Sequence, residues 1–326
     1  MERAIASIER LIEVINGADP LVDSNCSHQD YATFRKLMDD SSLRIDTESN
    51  KVVLGWQSLS KDIEKEAILN DFISPLELLV TSGFLFISNS GACCACARQQ
   101  TVIAISSLCR NLLVLLKGLE SKTSMDHSAH HVGAVWVTTK KLRAVAKTNA
   151  AATKRSLVLN MITVKDTTRE FEEVFRSADE PNDTPVVSSA VAGSDDWYDM
   201  MDHMMDGDID EEDAQRLAIL IDKLRAVGVL MEKAAACVMS VAEPIDAKME
   251  YIQWLDELAS GGQLVETSVS AMGFLMYPPH IDVDDLEAAC VTLGTHATSL
   301  HDCFKGKLLV PLAENLIVRT QQNISS

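Results

Sequence analysis

Residues 178–213 read ADEPNDTPVVSSAVAGSDDWYDMMDHMMDGDIDEED, a run of 36 with 13 carboxylates and neither Lys nor Arg. The whole chain carries a net charge of −19, so this stretch holds 13 of those units and the remainder is near balance. Like charges at that density repel, and so little apolar surface cannot offset the entropy lost on ordering. Pro181, Pro185 and Gly193 interrupt any helix inside it. The expectation is a flexible acidic linker (178–213) between two antiparallel helical bundles, an N-terminal one at 1–177 and a C-terminal one at 214–326.

Composition agrees with an all-α fold. Gly (14) and Pro (8) are scarce in 326 residues, below average usage of about 7% and 5%. Apolar residues make up 47%, enough for a sizeable core. No uninterrupted apolar run approaches the roughly 20 residues of a membrane span; the nearest, 76–87, contains Glu77. No membrane partner is therefore expected. Glu2, Glu9 and Glu13 in the first helix argue against a secretory leader, which places the protein inside the cell. Strong acidity argues against direct nucleic-acid binding and favours protein partners.

Periodicity locates the helices. Ile5, Ile8, Leu11, Ile12 and Ile15 form a first stripe that Asn16-Gly17 ends. A second helix runs from Tyr31 past Trp56. A third starts after Ser60, and Pro75 is expected to kink or divide it. Ile105, Leu108, Leu112, Leu115 and Leu119 mark a fourth, followed by a polar loop at 121–131. A fifth unit covers 132–145, and a long helix follows at 148–175. Beyond the acidic stretch, Leu217, Leu220, Leu224, Val227, Met231, Ala234, Val238 and Val241 keep a heptad seam. Helices are expected at 246–259 and 263–276, separated by Gly261-Gly262, then at 282–304 and 308–321.

Few constellations suggest chemistry. Cys93, Cys94 and Cys96 with His127, His130 and His131 lack the second paired-cysteine motif of a zinc site, so small buried thiols are the simpler reading. A helix N-terminus there would lower the pKa of an exposed cysteine, which leaves a redox role to be examined. Asp206, Asp208 and Asp210 imitate a calcium loop, but Glu211 and Leu217 occupy its Gly and Glu positions. Lys140, Lys141, Arg143, Lys147, Lys154 and Arg155 are the one basic concentration, a solvated face or a receptor for the acidic stretch. Trp197 and Tyr198, aromatic residues inside that stretch, either dock on a bundle or anchor a partner. Without a phosphate-binding loop, a nucleophile elbow or a fixed carboxylate pair, neither an enzyme nor a cofactor is expected.

Five short stretches carry a resemblance. Residues 134–140 (AVWVTTK), Asn149-Ala150-Ala151-Ala152 and Val164-Lys165-Asp166 look like the segment of the cyclin-D-binding (GCIP) family in which a Val-Trp pair opens a helix and an Asn turn leads into a longer one. Met276-Tyr277-Pro278-Pro279 resembles that family's Tyr-Pro-Pro junction, and Val310-Pro311-Leu312 is similar to the start of its last helix. The resemblance implies a non-enzymatic regulator, cytoplasmic and nuclear, that binds D-type cyclins or helix-loop-helix transcription factors and restrains the cell cycle. It also implies Trp136, Asn149, Tyr277, Pro278 and Pro279 as partner-binding positions, beside Trp197 and Tyr198. The Leu217 to Val241 seam can serve a partner helix or the bundle core. An adhesion or cytoskeletal adaptor of the vinculin and talin kind is the alternative.

Overall fold

The structure is a computed structural model and describes residues 1–17, 31–56, 58–59, 61–88, 91–121, 125–179, 211–243, 248–275 and 283–305. The interior of the acidic stretch, with Trp197 and Tyr198, lies outside them. So do Tyr277, Pro278, Pro279 and the helix expected at 308–321. Among the described residues the chain is all-α, without strands. The helices are α1 (Glu2–Asn16), α2 (Tyr31–Trp56), α3 (Asp62–Ser88), α4 (Ala95–Glu120), α5 (Met125–Arg143), α6 (Asn149–Asp179), α7 (Glu211–Ser240), α8 (Lys248–Leu275) and α9 (Val283–Phe304).

Three sequence expectations need correction. Pro75 does not divide α3, which is continuous around it; the carbonyl it leaves without a helical donor belongs to the exposed Asp71, where water can serve. The polar stretch before 132 is not all loop, because α5 already begins at Met125. Gly261-Gly262 does not separate two helices, since α8 runs through both. Close packing explains that last point: a Cβ on Gly262 would collide with Leu157 Cδ2 of α6, and one on Gly261 would lie 3.2 Å from Leu300 Cδ1 of α9. These glycines make room for neighbours, at some cost in helix propensity.

The chain divides into two compact units, Met1–Thr153 with Glu243–Asp256, and Lys154–Ala242 with Glu257–Ser326. They differ in composition from the consecutive bundles expected at 1–177 and 214–326. The first unit contains α1 to α5 together with the opening turns of α6 and α8. In it α2 packs on α3 and α5, while α4 packs on α1, α3 and α5. Phe34 of α2 stacks on Phe86 of α3 at 4.4 Å, and Tyr31 meets the same ring edge-on at 5.0 Å. Gly83 of α3 sits where a Cβ would come within 2.7 Å of Ile105 Cδ1 of α4.

Among the described residues two helices, α3 and α4, are long and apolar enough by length and composition to cross a membrane, a property that a search for uninterrupted runs does not register. Their apolar side chains are used in the bundle: Phe72, Leu76, Leu79, Val80 and Phe86 of α3 are fully buried, as are Ile105, Leu108, Leu112, Leu115 and Leu116 of α4.

The second unit contains α6 from Lys154 onward, α7, α8 from Glu257 onward and α9. Ion pairs of Lys165 with Glu232 and of Arg225 with Glu172 set α6 antiparallel to α7. Arg216 of α7 pairs with Asp284 at 2.6 Å and Glu287 at 2.8 Å near the start of α9, so those two helices run in the same direction. The seam residues Leu217, Leu220, Leu224, Val227, Met231, Ala234 and Val238 are all buried, which places the heptad stripe in this core.

Candidate protein-interaction surface

The surface is built on α5, and α2 determines which way α5 faces. Helices end with carbonyls that have no partner of their own, and the end of α5 is capped by side chains from α2. The Arg35 guanidinium donates to the carbonyls of Leu142 (3.3 Å), Val145 (2.9 Å) and Arg143, and pairs with Asp39 at 2.9 Å. Tyr31 Oη donates to the Ala146 carbonyl at 2.8 Å. Two turns beyond Asp39 along α2, Asp46 accepts from Thr139 Oγ1 at 2.5 Å and from Arg143 at 2.9 Å, and Arg143 also donates to Ser42. These bonds turn Thr138, Thr139 and Leu142 inward, where they are buried.

The opposite side of α5 consequently points outward with Trp136 (44% exposed), Val137, Lys140 and Lys141. Nothing lies within 4 Å of where a Cβ would sit on Gly133, one turn before Trp136. A large exposed indole beside a small open position and two lysines gives this face a large apolar area next to a polar N–H and positive charge. The basic concentration thus splits: Arg143 is held in the α2–α5 contact, while Lys140 and Lys141 border the Trp136 face.

Asn149 is placed quite differently. It is buried at 1% exposure, its Oδ1 accepts from Cys94 N–H at 2.8 Å, and its Nδ2 donates to the Ala92 carbonyl at 2.9 Å. Asp256 of α8 accepts from Ala95 N–H at 2.6 Å, and Cys94 Sγ accepts from Ala97 N–H at 3.4 Å. Asn149, Asp256 and Cys94 therefore cap the otherwise partnerless N–H groups at the start of α4. Asn149 exposes almost no surface to a partner, and what it holds is the junction between α4 and α6.

The cysteines share that interior. Cys93 and Cys94 are fully buried. Burial raises the Cys93 thiol well above its ordinary value and pushes Cys94 up to about 11, despite hydrogen bonds from Ala97 and Thr153 that act the other way. A helix N-terminus would activate only an exposed cysteine, and Cys93 and Cys94 are buried, with desolvation the largest influence on both thiols. Among the described residues no group of three or more His, Cys, Asp or Glu side chains is arranged to hold a metal ion. Sequence reasoning picked out Trp136 but missed Arg35 and Asp46. The spacing of Tyr31, Arg35, Asp39, Ser42 and Asp46 at steps of three and four was the available sign of a polar stripe on α2.

No curated protein matches this chain. Residues 44–177, from within α2 to the last turn of α6, match the family described as Grap2 and cyclin-D-interacting, N-terminal. That range includes Asp46, Cys94, Trp136 and Asn149. Across residues 44–177 the chain is thus similar to the N-terminal domain of the Grap2 and cyclin-D-interacting family.

Proposed function

We propose that this protein is a non-enzymatic interaction module that binds a D-type cyclin, a helix-loop-helix transcription factor, or both, and restrains cell-cycle progression from the cytoplasm and nucleus. The observation that carries this reading is the family match over 44–177, which contains an α5 face with Trp136 and Val137 exposed. Lys140 and Lys141 at the edge of that face favour a partner with an acidic rim, since complementary charge speeds encounter and fixes register. A Trp that becomes buried at the centre of an interface contributes about 2 kcal/mol or more.

The test is titration calorimetry of the full chain against a D-type cyclin. Trp136→Ala should weaken binding by about 30-fold, the equivalent of 2 kcal/mol, and Lys140→Glu with Lys141→Glu should lower the on-rate and its salt dependence. A wild-type chain that binds no D-type cyclin sinks the reading. Sedimentation of that chain with actin filaments would transfer support to the adhesion-adaptor alternative.

A further inference from the structure

Helices α2 and α5 lie side by side. The bonds of Arg35 to the carbonyls of Leu142 and Val145, and of Asp46 to Thr139 and Arg143, make them antiparallel and fix their register. Trp136 comes one turn before Thr139 and two before Arg143, so it shares their side of α5 and borders α2. On α2, where each residue turns by about 100°, Leu43, Asn50 and Leu54 form one stripe beside Asp46, on the side away from the buried Ile45 and Val52. Leu43 is 56% and Leu54 70% exposed. The register brings Leu43 toward Lys140, and Thr47 and Asn50 toward Trp136 and Gly133. Gly133 puts no side chain into the trough between these two stripes, and a Cβ there would meet nothing within 4 Å. Leu43 and Leu54 are 11 positions apart, about 17 Å at the rise of a helix.

The charge around this trough is the reverse of the chain's own. The protein as a whole carries −19, yet Lys36 and Arg44 of α2, Lys140 and Lys141 of α5 and Lys147 just past it are all exposed, with Asp40 the exposed carboxylate among them. Two more carboxylates of α2, Asp39 and Asp46, are paired with Arg35 and Arg143. Toward Leu54, Lys51 is paired with Glu48 at 2.8 Å, so the positive excess lies toward the Leu43 end. Such a surface complements an acidic partner. Both walls are helices whose backbone groups are spent on their own hydrogen bonds, so an extended strand would find nothing to pair with, and side-chain anchors must carry the affinity.

We propose that the α2–α5 trough receives an acidic amphipathic helix of a partner protein, about three turns long. Its apolar residues, at i, i+4, i+7 and i+11, sit against Leu43, Trp136 and Leu54, and its carboxylates lie over Lys36, Lys140 and Lys147. This rests on the reading of the α5 face as a partner surface and deepens it: the bound element acquires a shape and a charge, and α2 supplies half of its seat.

Fluorescence anisotropy of the full chain is measured with synthetic helical peptides of about five turns, which carry Leu at that spacing and are flanked by Glu, by Gln or by Lys. The Glu-flanked peptide should bind about tenfold more tightly than the Gln-flanked one, and Lys36→Glu with Lys140→Glu should turn the preference toward the Lys-flanked one. Leu43→Ser and Leu54→Ser, both at exposed positions, should each weaken binding about tenfold with the thermal melt unchanged. Equal binding of the three peptides overturns the trough, as does affinity indifferent to the two Ser substitutions or a charge preference that the reversal leaves in place. Peptide binding that appears only after deletion of 180–210, or self-association of the chain that Leu43→Ser abolishes, would give the trough another occupant and likewise overturn the proposal. The cyclin reading stands or falls separately. Peptide binding by a chain that binds no D-type cyclin keeps the trough and sinks that reading. Cyclin binding that Trp136→Ala weakens and the two Ser substitutions leave untouched keeps the α5 face and removes the trough.

Discussion

Asn149 puts one amide against two backbone groups, the N–H of Cys94 and the carbonyl of Ala92, in a place water does not reach. Leaving a buried donor or acceptor without a partner costs about 1–3 kcal/mol each. Asn149→Ala should therefore lower stability in urea by about 2–4 kcal/mol, while leaving any Trp136-dependent binding intact in the folded fraction. A loss of binding with unchanged stability would place Asn149 in a partner surface instead. Arg35 gives a second residue-scale expectation. Its planar fork serves several carbonyls at the end of α5 at once, a geometry that a point-charge ammonium cannot reproduce. Arg35→Lys should accordingly destabilise the protein nearly as much as Arg35→Ala, by about 2 kcal/mol or more, measured by thermal or urea melts. Both residues stand out in the sequence by type. Their burial, which decides what they do, comes from elements more than fifty residues away and leaves no local trace.

Helix α8 shows how packing overrides a local signal. A Gly-Gly pair normally marks a break, yet here α8 continues because Gly261 and Gly262 admit Leu300 and Leu157. Gly262→Val has nowhere to go without displacing the fully buried Leu157, so it should cost about 1–3 kcal/mol as an overpacked site, more than the helix propensity it gains. A stability equal to or above wild type would mean that α6 and α8 can separate freely. Helix α9 carries a titration. The His301 ring is buried with neither nitrogen hydrogen-bonded among the described residues, and its contact with Asp302 is long at 3.6 Å. Desolvation lowers its pKa, Lys305 and Lys233 act in the same sense, and Asp302 opposes them. The unfolded chain takes up this proton first, near the ordinary imidazole value of about 6.5. Stability from this group is therefore full above that pH and is lost as pH falls toward the lower folded value. Thermal melts from pH 7.5 to 5.5 should show a falling midpoint, with a shallower fall in His301→Leu. Identical slopes would remove His301 from the account.

At the scale of the whole molecule, the two compact units are not consecutive stretches of chain. The first unit includes Glu243–Asp256 from late in the sequence, and the second includes α6 from Lys154 onward. A fragment of 214–326 therefore lacks α6, which belongs to the second unit, and a fragment of 1–177 lacks the Asp256 that caps α4. Expressed alone, 214–326 should show low helicity by circular dichroism and bind hydrophobic dye; co-expressed with 1–177, it should co-elute as a folded complex. A fragment 214–326 that melts cooperatively by itself would favour the consecutive division read from composition. The acidic stretch accounts for 13 of the 19 net negative charges. What the sequence determined alone is what local spacing can carry: the all-α class, the positions of most helices, the heptad stripe of α7, and a Val-Trp and Asn pattern close enough to a known family to be recognised. Tertiary structure alone decided that Trp136 faces outward while Asn149 is enclosed, that Gly261-Gly262 lies inside a helix, and which helices complete each unit. The physical reason is range. Helical periodicity is set within a few residues by backbone hydrogen bonding and the hydrophobic effect, whereas burial depends on which distant surface arrives, and an amphipathic stripe does not name the stripe it will meet.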